Sequence, residues 1–283
     1  MTVSTTTDLN GLYNNIYEDA FFIAREMNLM AGLVHGYNMR GYAPRKISRF
    51  SQGTVQTVAE GVDYANAVKF EKTLVNTLTP SKAMSQFILT DEMIETDDID
   101  NIQSAAANEL GMGIAAKVDV DLLGNFSNFS AGKGAAGSAM TLGYVAAAIS
   151  KLVANHAEGA INVVIHPFQW HRIWTGLGNP IANQTFQGEI ANEALRQYFV
   201  GRFLNADWFS TGNISVNASD DAYGAAFTRD ALGLDIRKPF YVENERDASR
   251  AATEMNGVMG YAHGEVRDEF GCYILSDASE PTS

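Results

Sequence analysis

One apolar stripe between residues 96 and 125 constrains the fold of this chain more than any other feature. Its members recur at steps of three and four residues, as on one face of an α-helix, and are Ile99, Ile102, Ala106, Leu110, Ile114, Val118 and Leu122. Thr96 is a suitable N-cap, three aspartates follow it beside the positive end of the helix dipole, and Gly124 can end the helix. At about 1.5 Å per residue the segment predicts a helix roughly 40 Å long, here named the spine helix.

The composition limits the class of protein. A chain of 283 residues with 46% hydrophobic content can bury a large core, so we expect one or two interleaved domains. The formal charge of −13 argues against a general nucleic-acid-binding protein, which needs clustered Lys and Arg. A single cysteine, Cys272, excludes an intrachain disulfide and fits a reducing compartment. The apolar run at residues 20–34 contains Arg25 and Glu26, so it predicts neither a signal peptide nor a membrane span, and we expect a cytosolic-type protein.

The N-terminal segment is rich in aromatic side chains. A second amphipathic stripe predicts a helix that ends near Gly36 and is formed by Ile16, Ala20, Ile23, Met27, Met30 and Val34. The same segment carries Tyr13, Tyr17, Phe21 and Phe22. These residues either pack on the chain's own domain or belong to an arm that lies across a neighbouring subunit, and the sequence leaves both interpretations open.

A basic cluster follows in an otherwise acidic chain. It consists of Arg40, Arg45, Lys46 and Arg49. The cluster is either a solvated face or an ion-paired contact with an acidic neighbour, since the rest of the molecule supplies the acid. Four charges in one short loop are too few to predict nucleic-acid binding.

Residues 47–90 have the pattern of extended chain. Alternating or β-branched segments predict strands at 47–50, 53–58, 68–78 and 87–89, with a turn at Gly61 and Asp63. Residues 51–72 hold too few large apolar groups to anchor a core, so we expect a long polar hairpin that projects from the body. Its unpaired edges would be unfavourable in free solution, which predicts that another molecule covers it. Its charged residues Glu60, Asp63, Lys69, Glu71 and Lys72 are candidates for that contact.

The segment at residues 126–140 is rich in Gly, Ala and Ser and is expected to be flexible. It contains a formal GxGxxG at Gly132, Gly134 and Gly137. A genuine dinucleotide or phosphate loop leaves a strand and opens a helix, whereas this one follows the end of a helix. We therefore predict no cofactor site here.

An α/β layer follows. Apolar spacing predicts a helix from Leu142 to His156 that ends at Gly159, a buried strand at 161–165, a helix that starts at Pro167 and another at 190–203. Further strands are predicted at 208–216, 222–227, 234–242, 255–262 and 273–275, with turns at 243–250 and 267–271.

No set of residues predicts chemistry. His166 and His171 are five apart, whereas two metal ligands on one helix face are four apart. The acidic run at residues 91–100 lacks the glycine and closing glutamate of a calcium loop and is explained as a charged helix start. Cys272 has no matched His and acid, so it is expected to be a small packed residue. We expect no catalytic, cofactor or metal site, and hence no enzyme.

The order of these parts resembles the major capsid proteins of tailed bacteriophages. One segment that carries the resemblance is a strand-His-Pro-helix step, AINVVIHPFQWHRI, at residues 160–173. The other is the closing segment at residues 222–278, which enters a strand at "DALGL", passes an acidic turn and a strand ending "MGYAHG", and finishes after an Arg-Asp turn. The aromatic arm and the long hairpin add an architectural likeness.

The resemblance implies an α+β structure of the Hong Kong 97-type capsid fold. It divides the chain into an N-terminal arm at 1–45 and an extended hairpin, or E-loop, at 46–78 that reaches over the next subunit. A peripheral domain with the spine helix would take 79–130 and 232–270. An axial domain would take 131–231 and 271–283.

The implied function is that of a coat protein that self-assembles through pentamers and hexamers into an icosahedral shell around double-stranded DNA. Expected partners are other copies of itself and separate portal, scaffold and cement or decoration proteins, with no membrane and no cofactor. The packaged DNA would be contacted only non-specifically, and assembly would take place in the host cytoplasm. The candidate inter-subunit contacts are Tyr13, Tyr17, Phe21, Phe22, Arg40, Arg45, Lys46, Arg49, Glu60, Asp63, Lys69, Glu71 and Lys72. The alternatives are an encapsulin-like compartment shell, or a small α/β enzyme that uses the step at 166–174 or the glycines at 132–137.

Overall fold

The computed structural model describes residues 29–38, 41–65, 67–96, 102–177 and 202–281. Its helices are α1 (Leu29–Leu33), α2 (Asp91–Thr96), α3 (Ile102–Leu123), α4 (Leu142–Ala154) and α5 (Pro167–Leu177), with 3₁₀ helices at Gly124–Asn128 and Asp268–Phe270. Its strands are β1 (His35–Asn38), β2 (Arg45–Phe50), β3 (Lys72–Leu78), β4 (Ser81–Thr90), β5 (Gly132–Ala139), β6 (Ile161–Ile165), β7 (Arg202–Phe203), β8 (Ala206–Ser210), β9 (Asp221–Thr228), β10 (Leu232–Asp247), β11 (Ala252–Glu265) and β12 (Gly271–Asp277). None of the described helices is both long and apolar enough to cross a membrane.

The spine helix is α3, and it packs on a four-stranded sheet of order β1-β10-β11-β4. The predicted stripe supplies its buried side chains Leu110, Ile114, Val118 and Leu122. The approach of helix to sheet is close at Gly257 of β11, where an added Cβ would lie 3.1 Å from the Leu110 Cβ. The prediction of an apolar stripe facing one sheet is therefore confirmed.

The predicted start of the spine helix is wrong. Thr96 is the last residue of α2, a separate short helix whose first turn holds Asp91 and Glu92. The acidic run thus begins a different helix, and residues 97–101 lie outside the described chain. The described helix has 22 residues, which at 1.5 Å per residue gives a length of about 33 Å.

A second sheet of six strands has the order β5-β12-β9-β6-β8-β7. The predicted strand at 161–165 is its buried centre, parallel to β8 and antiparallel to β9. Helix α5 starts at Pro167 as predicted and packs Trp170 on Trp208 of β8, with ring centroids 5.6 Å apart. The helix predicted at 190–203 lies mostly outside the described residues, and Phe203 is part of β7 instead.

The glycine-rich segment is ordered in a strand, so the expectation of a flexible loop is wrong. After the 3₁₀ helix, β5 pairs in parallel with β12 along one edge of the six-stranded sheet. A Cβ at Gly132 would overlap the ring of Tyr273, and one at Gly134 would overlap the carbonyl of Leu275. Gly132 and Gly134 thus permit close approach of β5 and β12, whereas Gly137 has a φ of +68° and open space around an added Cβ.

Other element boundaries also differ from the predictions. β10 runs without interruption to Asp247, so the turn predicted at 243–250 lies at residues 248–251. The predicted strand at 53–58 is not a strand, and the one at 208–216 ends at Ser210. Helix α4 ends at Ala154, and His156 has a positive φ of 57° beyond it.

The described part of the N-terminal segment packs on its own subunit. Met30 and Val34 are fully buried in the core, and the backbone N–H groups of Leu29 and Met30 donate to the buried Asp119 carboxylate at 2.9 and 3.2 Å. β1 then adds to β10 in parallel. For residues 29–38 the own-domain interpretation holds, while the aromatic residues Tyr13, Tyr17, Phe21 and Phe22 lie outside the described residues.

Candidate subunit interface

The hairpin predicted at residues 46–78 is formed by β2 and β3. The two strands pair antiparallel from Arg45 and Leu78 to Phe50 and Lys72, with an irregularity after Ile47. The ladder continues for one step, because the Ser51 N–H donates to the Glu71 carbonyl at 2.9 Å.

Beyond this ladder the chain runs to a tight turn at residues 59–62. There the Val62 N–H donates to the Ala59 carbonyl at 3.2 Å, and Gly61 has a φ of +80°. That φ suits the third position of a type II turn, which glycine adopts without strain. The turn is the tip of the hairpin.

The root of the hairpin is fixed to the body by a buried charge cluster. Arg45 Nε donates to Asp235 Oδ2 at 2.6 Å, and Arg237 of the same strand as Asp235 lies 3.0 Å from that oxygen. The side chains of Asp235 and Arg237 are fully buried, whereas Arg45 is 25% exposed. The Arg45 guanidinium also lies over the ring of Tyr37, 4.6 Å from its centroid, and burial raises the pKa of Tyr37. Asp235 therefore has a buried cation beside it, the fixed cation Arg237, even when the Arg45 side chain of the hairpin is moved away.

Two further contacts hold the root. Asn76 Nδ2 donates to the Glu265 carbonyl at 2.7 Å, and Leu78 is 1% exposed in the core. Arg49 pairs with Glu269, but both side chains are more than half exposed, so this pair contributes little stability.

The predicted charged contact residues differ in their surroundings. Arg45 and Arg49 pair with acids of their own subunit, and Lys69 pairs with Glu71 on the hairpin itself. Arg40 lies outside the described residues. Lys46 is exposed near the root, and Lys72 is exposed at the far end of the paired strands, opposite Phe50. Glu60 and Asp63 are exposed at the tip, with no ion-pair partner in the described chain. The structure thus separates the acids of the tip from the basic cluster at the root.

Within the described chain, the hairpin carries the largest group of exposed apolar side chains. Among the described residues fifteen large hydrophobic side chains are exposed, and nine of them lie between residues 50 and 75: Phe50, Val55, Val58, Val62, Tyr64, Val68, Phe70, Leu74 and Val75. Val55 is 98% exposed, and Phe50 stacks on Phe70 with both rings open to solvent. A patch of this kind on a folded protein marks an interaction surface.

The expectation of a polar hairpin is therefore wrong. The hairpin lacks a core-forming run, but single valines are spaced along it and exposed. The signal that would have found them is the series of valines Val55, Val58, Val62 and Val68 in a stretch without a core-forming run.

His166 and Cys272, two of the residues considered for chemistry, are both buried. His166 is buried at the start of α5, where its backbone N–H donates to Gln169 Oε1 and its Nδ1 accepts from the Phe168 N–H. Burial lowers the pKa of His166 and raises that of the Cys272 thiol, which holds both in their neutral forms. The described residues contain no group of His, Cys, Asp and Glu side chains that could hold a metal ion.

Comparison with known proteins identifies what this fold is similar to. The sequence model of the family described as "Phage capsid protein" matches residues 76–275. A search of curated proteins by sequence gave no match.

Solved structures resemble the chain over nearly its whole length. The capsid of the cyanophage P-SCSP1u has a TM-score of 0.71 at 14% identity, with 96% of this chain and 95% of that chain covered. The head of the Helicobacter pylori bacteriophage KHP40 has a TM-score of 0.73 at 11% identity, with 99% of each chain covered. The mature capsid of bacteriophage PhiM1 has a TM-score of 0.67 at 12% identity, with 95% and 93% covered. At such identities the likeness is one of fold.

Proposed function

The chain belongs to the phage capsid protein family, and we propose that its hairpin lies over a neighbouring copy in the shell. The protein is a major capsid protein, a structural component of the icosahedral shell of the virion. The compartment-shell and enzyme alternatives are not favoured by this family match.

The observation that carries the hairpin proposal is the concentration of exposed apolar side chains on it. Nine of the fifteen exposed large hydrophobic residues lie there, although the hairpin forms a small part of the described chain. Burying each such side chain in a contact is worth about 1.5–3 kcal/mol when burial is complete. A neighbouring copy is the partner that a shell provides at high local concentration, so a modest contact suffices at each position.

We also propose a division of the subunit. The arm would be residues 1–45, the peripheral domain 79–130 with 232–270, and the axial domain 131–231 with 271–283. Support comes from the strand orders, because all strands of the six-stranded sheet fall within the proposed axial domain. The four-stranded sheet draws on the proposed peripheral domain, except for β1, which comes from the arm.

The proposed assembly proceeds through pentamers and hexamers in the host cytoplasm, with separate portal, scaffold and cement or decoration proteins as partners. The packaged double-stranded DNA is contacted without sequence preference. A subunit with a formal charge of −13 supports this, since a lining of that sign repels phosphate and keeps the polymer from adhering.

The test of the hairpin proposal is deletion of residues 52–68, which lie beyond the paired strands. The deleted subunit is expected to fold, as judged by circular dichroism and thermal unfolding, and to form no closed shells by light scattering and negative-stain microscopy. Intact shells from this deletion would contradict the proposal.

A matched pair of variants separates apolar contact from loop length. Serine in place of Val55, Val58 and Val62 keeps the hairpin intact and is expected to abolish closed shells. Serine in place of Val153 and Val216, which are exposed elsewhere on the subunit, is the control and is expected to leave shells unchanged.

A further inference from the structure

One face of the four-stranded sheet is turned away from the spine helix. Successive residues of a strand point to opposite faces, and Gly257 of β11 faces Leu110 and Ile114 of the spine helix. Val258 and Gly260 therefore face the other way. We name this second face of the sheet the outer face.

Two lysines lie on the outer face in one row. Lys82 of β4 pairs with Gly260 of β11, and Gly260 pairs with Lys238 of β10, so both lysines point to the same side. Two strand spacings separate their Cα atoms, or about 10 Å. Lys82 is exposed and has no ion-pair partner among the described residues, and Lys238 Nζ lies 3.7 Å from the ring centroid of Tyr241.

Apolar side chains lie between and beside these lysines. Tyr42 crosses the sheet above Gly260, where an added Cβ would be 2.6 Å from the tyrosine hydroxyl oxygen. Met84 pairs with Val258 in the next row, and Tyr42 and Met84 are 51% and 53% exposed. Glu243, one row further along β10, is the acidic side chain at the margin of this patch.

The hairpin tip carries the complementary chemistry. Glu60 and Asp63 are its charged residues, and the sequence has no Lys or Arg between residues 50 and 68. Val58 and Val62 are exposed beside them. The tip combines two carboxylates with apolar side chains, as the outer face combines two ammonium groups with apolar side chains. The tip does not dock on its own subunit, because its described residues are exposed.

We propose that the hairpin tip of one copy docks on the outer face of a second copy, with Glu60 and Asp63 directed at Lys82 and Lys238. This inference rests on the proposed function, since it assumes that the hairpin contacts a neighbour, and it names the receiving surface. Charges of opposite sign at the margin of an apolar contact set partner choice and orientation, and like charges there oppose association.

The test is a charge exchange between the two surfaces. Glu60→Lys with Asp63→Lys is expected to abolish closed shells, and Lys82→Glu with Lys238→Glu is expected to do the same. The variant that combines all four substitutions is expected to recover shells. The control combines the two hairpin substitutions with Lys133→Glu and Lys151→Glu, which make the same change in net charge on the other sheet and its helix, and it is expected to remain unassembled.

A second measurement serves if the fourfold variant unfolds. The two impaired double variants, mixed in equal amounts, are expected to co-assemble, because each supplies the sign that the other lacks. Sedimentation and negative-stain microscopy report shells in both experiments, and thermal unfolding of the subunits reports folding.

Each other outcome overturns this inference. Wild-type assembly of the hairpin double variant would show that the tip charges are not used. Failure of both the fourfold variant and the mixture, or equal recovery by the lysine control, would show that the outer face is not the receiving surface. Neither result bears on the hairpin proposal, which is tested separately by the deletion of residues 52–68. Failure of the receiving surface and failure of the hairpin contact are therefore distinguishable.

Discussion

The buried amide of Gln169 offers the sharpest test of what holds the subunit together. Gln169 lies on α5, is fully buried, and connects that helix to the six-stranded sheet. Its Oε1 accepts from the His166 N–H at 3.1 Å, and its Nε2 donates to the Ala222 carbonyl and to Ser276 Oγ, both at 2.9 Å. The Gln169 side chain thus forms hydrogen bonds with the backbone just after β6, with the backbone of β9 and with a side chain of β12.

Gln169→Leu keeps the approximate volume and removes the amide. Each buried polar group left without a partner costs about 1–3 kcal/mol. The His166 N–H loses its acceptor, and the Ser276 hydroxyl loses one of two partners, since it also donates to Met140 Sδ. We therefore expect a loss of about 2–4 kcal/mol in the free energy of unfolding. The urea slope is about 1–3 kcal/mol/M for small proteins and rises with size, so for a chain of this length the midpoint should fall by about 1 M.

Urea unfolding of the unassembled subunit, followed by circular dichroism, measures this loss without a contribution from the shell. Thr175→Val is the matched control, because Thr175 lies on the same helix and its hydroxyl donates to the Arg172 carbonyl at an exposed position. The control is expected to change stability by less than about 0.5 kcal/mol. A loss below about 1 kcal/mol in Gln169→Leu would refute the reasoning, because the sheet would then satisfy these groups without the amide.

Two other perturbations give distinct results. Arg237→Ala leaves Asp235 with only the partly exposed Arg45 as a partner and should lower the free energy of unfolding in urea by about 3–5 kcal/mol. Arg45→Ala should lower it by about 1 kcal/mol, because Arg237 remains. Equal losses would contradict the assignment of Arg237 as the main partner of Asp235. Burial lowers the pKa of His263, whose Nδ1 lies 2.9 Å from Asn125 Nδ2. As the pH falls, the unfolded chain therefore binds a proton at His263 before the folded chain does. The contribution of His263 to the free energy of unfolding is present above the unfolded pKa of about 6.5 and is lost as the pH falls through the folded pKa. His263→Gln should flatten the stability profile between about pH 7 and pH 5, and an unchanged profile would exclude this histidine as a cause.

Local pattern predicted the elements that pack by their own periodicity. Apolar spacing within a few residues is enough to predict three elements: the stripe of the spine helix, the buried strand at 161–165 and the helix that starts at Pro167. The α+β structure and the Hong Kong 97-type fold inferred from the order of these elements are confirmed by the family match and the solved capsids.

The missed features depend on residues distant in sequence. The glycines of β5 looked like a flexible loop because their partner, β12, lies some 140 positions later, and only that strand explains the need for close approach. The contacts of Arg45 with Asp235 and of Gln169 with Ser276 likewise join distant segments, and no spacing rule predicts them. The inter-subunit roles of the hairpin charges stay predictions, since they concern a second copy.

The exposed valines of the hairpin have a consequence for the concentration at which shells appear. A subunit with exposed apolar side chains is expected to associate above a threshold concentration, as a surfactant does. Below a threshold concentration the free form persists, and above it added subunits enter the assembled phase while the free level stays nearly constant. Because the apolar contribution is mainly entropic near 25 °C and weakens on cooling, this threshold rises in the cold. With the proposed hairpin contact, we therefore expect shell formation to depend on temperature and on the concentration of free subunits.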